Sequence, residues 1–231
     1  MKRYGQYCPV SRAAEILAER WTVLVIRELL SGSDRFNSIA RGVPRMSPSL
    51  LSTRLRELQR AGLVTRHEVD GETRYRLTAA GRELQPIVEQ FGNWGQRWMR
   101  EIRADEYDPA LLMLDISREV RRDRGRLPAR PTTVQLELSE VPARYRSWWL
   151  VFSTGGFDVC DTDPGHPVRA WVNTDPVTLT RVWLGQVSWT RALRADTLRI
   201  RGDREVCRLV PGWIGVSRFA AVEPGPEPLP R

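Results

Sequence analysis

From Ser11 to Met99 the apolar residues recur at helical spacing, and glycines at 32, 42, 62 and 71 interrupt them where elements must turn. Trp21, Leu24, Val25 and Leu29 share one side of a segment that stops at Ser31-Gly32, which predicts a core helix over 21–30. Asp34 or Ser33 can cap a short helix over 35–41 that turns Phe36 and Ile39 inward and closes at Gly42. Ser47-Pro48 places a capping hydroxyl before a proline at the first helical position. The helix it opens runs through Arg60, with Leu51, Leu55 and Leu58 as its buried stripe. Ala61-Gly62-Leu63-Val64 leads into a strand, and residues 65–69 pair back on 73–77 around Asp70-Gly71, a two-residue hairpin signal. Helical spacing then returns over 81–102. There Leu84, Ile87, Val88, Phe91, Trp94, Trp98, Met99 and Ile102 form a stripe longer than a small domain needs for its own core.

The pattern changes in the second half. Residues 121–131 are charged and rich in glycine and proline, with no apolar face, and predict a linker. Residues 133–138, 147–154 and 168–173 alternate or carry β-branched and aromatic side chains between turn signals, and predict strands. Asp175-Pro176 predicts a capped helix over 177–184. The proline-rich end 223–228 offers nothing to pack and predicts disorder. The organisation expected is a mainly helical domain over 1–105, a helix and linker over 106–131, an α+β domain over 132–222 and a disordered tail over 223–231.

Charge narrows the partners. The net charge is +8, and residues 1–105 hold 18 lysines and arginines against 12 acidic residues while the remaining 126 hold 18 against 16. An excess of +6 in the front part and +2 behind it favours phosphate-bearing partners for the helical domain. No apolar run approaches the ~18 to 20 residues of a membrane span, and no apolar stretch follows the basic start, so a cytoplasmic protein without a membrane partner is expected. Three cysteines, Cys8, Cys160 and Cys207, fit neither a disulfide framework nor a zinc site.

A short helix, a turn, a second helix and a basic hairpin are the parts of a winged helix-turn-helix. At ~100° per residue, Ser49, Thr53, Arg56 and Arg60 point away from the leucines of the second helix, with Ser52 and Arg54 on the flanks. Hydroxyls and guanidiniums on that face suit base edges and phosphates, whereas the helix alone would read as an ordinary solvated surface. Arg66, His67, Arg74 and Arg76 decorate the hairpin, whose tip suits a minor groove or phosphate row; His67 has no partner cluster for a metal.

These residues, in order, resemble the HxlR-type regulators: Cys8-Pro9, Trp21-Thr22, Ile26-Arg27-Glu28-Leu29-Leu30, Gly32, Arg35-Phe36, Ser47-Pro48, Leu51-Ser52, Arg54-Leu55, Leu58, Ala61-Gly62-Leu63-Val64, Tyr75-Arg76-Leu77-Thr78 and Gly81. The resemblance runs from about Cys8 to Trp98. It implies a bacterial winged helix-turn-helix that acts on transcription as a homodimer, with the helix from Ser47 in the major groove of double-stranded DNA. The candidate DNA contacts are Arg35, Arg45, Ser47, Ser49, Ser52, Thr53, Arg54, Arg56 and Arg74. The candidate dimer contacts are Leu84, Ile87, Val88, Phe91, Trp94 and Trp98, the alternative being that this stripe packs within its own subunit. The resemblance also implies that Cys8 can sense oxidants or electrophiles; Lys2, Arg3 and Arg12 nearby favour a thiolate, and the alternative is a small buried residue.

Six of nine tryptophans follow the linker. The run from about Thr133 to Ala220, with strands, then Asp175-Pro176, Leu179, Val182, Trp183-Leu184-Gly185, Ala192-Leu193 and Leu198 to Asp203, resembles the sterol carrier protein type two fold. It implies an α+β layer around an apolar tunnel and a hydrophobic small-molecule effector, with Trp149, Trp171, Trp183, Trp189 and Trp213 as the candidate pocket. Ordinary core packing is the alternative for those tryptophans. Catalysis is not expected: His67 and His166 are the only histidines, no phosphate loop or nucleophile motif occurs, Asp163-Pro164-Gly165 reads as a turn, and no metal or cofactor is called for. The rival function is a hydrophobic-ligand carrier whose basic domain binds nucleic acid without sequence preference.

Overall fold

A computed structural model describes residues 4–123, 125, 127–128, 130–153, 156–227 and 229. Lys2 and Arg3, Arg124, Arg126 and Ala129 of the expected linker, Thr154 of an expected strand, and Pro228, Pro230 and Arg231 of the expected tail lie outside the described residues. The chain divides into two compact units, Met1–Gly92 and Asn93–Arg231.

The first unit begins with helices α1 (Pro9–Leu17), α2 (Thr22–Leu30) and α3 (Phe36–Gly42). Asp34 does not cap α3: Arg35 is its N-cap residue, and the Arg35 amide donates to Ser38 Oγ at 3.1 Å. Helix α4 (Pro48–Arg60) starts where Ser47 Oγ accepts from the Leu50 amide. Strands β1 (Val64–Val69) and β2 (Glu72–Leu77) form the antiparallel hairpin about Asp70-Gly71, with Val64 opposite Leu77 and Val69 opposite Glu72, so the second strand starts one residue earlier than expected. An isolated bridge between Arg35 and Arg74, with the Tyr75 amide donating to Asp34 O at 2.7 Å, adds the stretch before α3 to this small sheet. Val25, Ile26, Leu29, Ile39, Leu51, Leu55, Leu58 and Val64 make the core.

The single helix expected over 81–102 is two, α5 (Ala79–Arg82) and α6 (Gln85–Trp98). Pro86 has no N–H to donate to the carbonyl of Arg82, so the chain breaks at Glu83-Leu84 and restarts. The division between units falls within α6.

The second unit contains α7 (Pro109–Arg122), which places Leu112, Met113, Ile116 and Val120 in the core of its own unit. Arg121 and Arg122, expected in the linker, are its last turn. Strands β3 (Thr132–Leu138), β4 (Ser147–Ser153), β5 (Gly156–Cys160), β6 (Val168–Thr174) and β7 (Arg199–Gly202) build a five-stranded mixed sheet of order β5-β4-β3-β6-β7. Only β3 and β6 run parallel; the other neighbours are antiparallel. Helices α8 (Pro176–Trp183), α9 (Trp189–Arg194) and α10 (Arg204–Ile214) complete the α+β layer, with α8 capped by Asp175, whose Oδ1 accepts from the Thr178 amide at 2.8 Å. Leu136, Leu150, Phe152, Val172, Leu179, Val182 and Trp213 fill the space under the helices. The rings of Phe152 and Trp213 lie 5.4 Å apart, and those of Phe152 and Phe157 4.7 Å. The chain end is not loose where it is described: the Gly225 and Leu229 amides donate to Arg97 O and Trp98 O, each at 2.9 Å.

In the first unit one buried acid organises the turn from α2 to α3. Glu28 is fully buried and receives Arg27 Nε at 3.2 Å and Nη2 at 2.9 Å, and the same Nη2 donates to Gly42 O at 2.8 Å. A Cβ on Gly42 would stand 1.9 Å from Glu28 Oε2. Gly42→Ala therefore drives the carboxylate off its partners, a loss of about 3 kcal/mol on the scale of a broken buried ion pair. The check is native-state hydrogen exchange of the α2 and α3 amides in the full chain; unchanged opening free energies would show that the carboxylate relocates without cost.

Candidate functional site

The outward side of α4 and the hairpin after it form one candidate site. Ser47, Ser49, Arg56 and Arg60 are exposed, and Ser52 and Thr53 half-exposed. Ser47 Oγ and Ser49 Oγ lie 3.2 Å apart, and Thr53 Oγ1 donates to Ser49 O at 3.0 Å, which holds these hydroxyls over the first turns of the helix. Arg56 reaches only its own helix: Nε donates to Ser52 O at 3.3 Å and Nη2 to Thr53 Oγ1 at 3.4 Å. Such exposed, long hydrogen bonds exchange readily for an anionic acceptor. Arg45 is exposed in the turn leading to α4.

Two of the arginines expected on DNA are engaged elsewhere. The Arg54 side chain is only 11% exposed; it is ion-paired with Glu57 and, at 3.2 Å, with Glu19, and its Nε donates to Arg20 O at 3.2 Å. It ties α4 to the chain between α1 and α2. Arg74 pairs with Asp34 at 2.6 Å and Glu72 at 3.3 Å, and the Asp34 hydrogen bond raises its pKa further above the ordinary range. It fastens the hairpin to the chain before α3 and is likewise withdrawn. Arg35 is paired with Glu72 at 2.6 Å but remains half open to solvent, where such a pair contributes little. On the hairpin, Arg76 and His67 are exposed, and Arg66 is held by Glu68 at 2.7 Å and Thr73 Oγ1 at 3.0 Å. The exposed cations Arg60, Arg66 and Arg76 are not among the nine candidate DNA contacts.

Of the stripe expected to dimerise, Leu84 and Val88 pack on the core of the first unit. Ile87, Phe91 and Trp94 are 43%, 59% and 52% exposed, spaced i, i+4, i+7 along one face of α6. Trp98 is half-buried.

Cys8 is the N-cap residue of α1, and the amides of Ser11 and Val10 lower its thiol below the ordinary range. Cys160 and Cys207 go the other way: burial raises both, with Asp158 and Asp161 adding to the first and Asp203 to the second.

The five tryptophans expected around one pocket do not share one. Trp149 and Trp171 flank Gln135 on the face of the sheet opposite the core, and Trp171 Nε1 donates to Gln135 Oε1 at 3.0 Å. Trp183 and Trp213 are buried in the core, with Trp183 Nε1 donating to Asp115 Oδ2 at 2.7 Å. Trp189 is half-buried and bonded to Gly215 O at 2.9 Å. Alternation along a strand sends neighbouring positions to opposite faces, and that separates the set. An opening lined by both apolar and polar residues does exist at the edge of the helical layer. It is a pocket of about 600 Å³ between Leu127, Pro128 and Thr132 on one side and Val206, Leu209 and Trp213 of α10 on the other, with Arg130, Arg169 and Glu205 at its margin. Among the described residues no His, Cys, Asp or Glu cluster could hold a metal ion, and no helix is long and apolar enough to cross a membrane.

The pattern of the HxlR-like helix-turn-helix family matches residues 16–103, and that of the SCP-2 sterol transfer family matches residues 118–211. The uncharacterized HTH-type transcriptional regulator YvaP of Bacillus subtilis is 37% identical over 99 residues, 41% of this chain and 92% of that protein. The uncharacterized HTH-type transcriptional regulator sll1512 of Synechocystis is 33% identical over 100 residues, 42% of this chain and 74% of that protein. Among solved structures, the reduced form of the transcriptional regulator YodB from B. subtilis is 29% identical with a TM-score of 0.35, over 39% of this chain and 93% of that one. The chain belongs to the HxlR-like helix-turn-helix family of transcriptional regulators and joins to that domain a second one of the SCP-2 sterol transfer type.

Proposed function

We propose that the protein regulates transcription as a homodimer on double-stranded DNA, with an apolar effector in the second domain adjusting its affinity. The observation that carries the DNA reading is the face of α4 made by Ser49, Thr53, Arg56 and Arg60, open to solvent and bonded only within its own helix. In the major groove, serine and threonine hydroxyls take either donors or acceptors, and an arginine takes guanine bidentately. Arg45, Arg66 and Arg76 meet phosphates on either side, and Arg35 exchanges its surface partner for one.

The homodimer reading rests on Ile87, Phe91 and Trp94. Contiguous exposed aromatic and aliphatic groups on one helix face mark a contact surface. Two copies joined there present two α4 helices about one DNA turn apart, ~34 Å, and so read a near-palindromic operator. For the effector, the pocket beside α10 has an apolar wall and arginines at its margin, which suits a molecule with an apolar body and a polar or anionic end. The deep interior does not offer that room, because Phe152, Phe157 and Trp213 fill it.

The test is a footprint of the purified full chain on the DNA upstream of its own and neighbouring genes, at physiological salt. Protection of a near-palindrome is expected; coverage that is diffuse and lost as salt rises would replace the regulator with a ligand carrier bearing a non-specific nucleic-acid module.

Arg56 and Arg54 separate contact from packing. Arg56→Ala is expected to weaken operator binding about 10- to 100-fold, from the ~1 to 3 kcal/mol of a base-edge arginine, and to leave thermal stability unchanged. Arg54→Ala is expected to lower stability by about 2 kcal/mol, as loss of charged hydrogen bonds does, with DNA affinity following only through unfolding. Equal stability of the two variants in calorimetry would contradict this division.

Cys8 is expected to be the most reactive thiol. Its pKa is lowered and those of Cys160 and Cys207 are raised, so near neutral pH Cys8 carries the larger thiolate fraction. Timed iodoacetamide labelling read by peptide mass spectrometry checks this, and equal rates at the three sites would remove Cys8 as a sensor candidate.

A further inference from the structure

The exposed face of α6 has a fourth member that is not exposed. Positions 87, 91, 94 and 98 fall on one side of the helix, at i, i+4, i+7 and i+11. Ile87, Phe91 and Trp94 are open, and Trp98 is half-buried. What lies over it is the chain's own C-terminal segment. Gly225 and Leu229 donate their amides to Arg97 O and Trp98 O, carbonyls of the last turn of α6 that have no partner within the helix. Gly225 is so close to the indole that a Cβ on it would stand 2.6 Å from Trp98 Cε3 and 2.7 Å from Cζ3. Gly225 is not among the residues of positive φ, so the ring, and not the backbone, demands a glycine there. Pro224 and Pro226 on either side limit the freedom lost when the segment lies down. The same end of the helix is gripped from a second direction: Gln96 Nε2 donates to Leu184 O at 2.8 Å, and Gln186 Nε2 to Arg100 O at 2.9 Å. This end is held in place whether or not the tail is seated.

We propose that residues 223–227, with Leu229, form a latch on self-association: seated, it withholds Trp98 from a second copy of the chain, and released, it adds Trp98 to the Ile87, Phe91 and Trp94 face. The proposal rests on the homodimer reading and adds its regulation. A tryptophan desolvated within an interface is the kind of group that carries its energy, so release of Trp98 into the contact strengthens the dimer.

The experiment compares the full-length wild type with Gly225→Val, Trp98→Ala and the double variant. Sedimentation equilibrium measures self-association, and hydrogen exchange reads the amides at 225 and 229. The valine unseats the tail without straining any folded element. Expected are protected tail amides in the wild type, loss of that protection in Gly225→Val with a dimer dissociation constant about tenfold lower, and no further effect of Gly225→Val once Trp98 is alanine. Unprotected tail amides in the wild type, or an unchanged dissociation constant in Gly225→Val, would overturn the latch and leave the homodimer standing. Failure of every variant to dimerise, with the tail amides protected, would overturn the homodimer reading and the latch together.

Discussion

The geometry of the DNA-reading unit hangs on a carboxylate placed where a carboxylate is costly. Glu28 is the one ionisable residue among the buried polar groups described, and it sits at the joint of α2 and α3. Removing its charge from water costs several kcal/mol, which the bonds from Arg27 and from Ser33 Oγ, at 3.4 Å, help to offset while Gly42 leaves room. Arg27 spends the same guanidinium on the Gly42 carbonyl, so three groups on two helices fix one another. An apolar contact would tolerate a range of crossing angles; this triad does not. Gly42 ends α3, and residues 43–47 carry the chain from that joint into α4.

The arginines of this unit divide by what surrounds them. Arg54 and Arg56 are two positions apart on the same helix. One is enclosed by Glu19, Glu57 and a backbone carbonyl, and the other touches only its own turn. Arg74 and Arg76 share one face of β2 and still divide, because only Arg74 lies within reach of Asp34. A basic surface is therefore made of fewer cations than the charge count suggests. Those held inside set the shape on which the free ones are displayed.

What was legible in the sequence was whatever is decided locally. Ser47-Pro48 and Asp175-Pro176 start helices because cap and proline act within one turn, and Asp70-Gly71 sets the hairpin register by its own backbone. Three leucines at helical spacing were enough to identify the buried side of α4. Illegible was whatever depends on partners distant in the chain. Arg54 reads as a flank residue until Glu19 arrives from 35 residues away. A helix is expected within 106–131, but nothing local assigns α7 to the second domain, whose later strands its apolar face packs against. Strand β5 is five residues with an aspartate at its centre, too short and too polar to announce itself. The tryptophans were grouped by kind, and the sheet separates them by parity. The tail offers no apolar pattern, since its two described bonds to α6 come from the backbone.

The packing of the second domain limits how an effector can act. A ligand that entered beneath the helices would have to displace Trp213 from Phe152, at a cost comparable to the ~3 to 5 kcal/mol lost when a core aromatic is removed. A ligand at the edge beside α10 need only rearrange Leu209 and the segment around Leu127, which already line an opening. Control of a regulator asks for little: a tenfold change in operator affinity is ~1.4 kcal/mol of difference in ligand binding between two arrangements of the protein. A binding mode that first spends several kcal/mol on opening a core wastes most of what its contacts supply. An effector held at that edge would suffice for that task, because it would leave the contact of Phe152 with Trp213 intact.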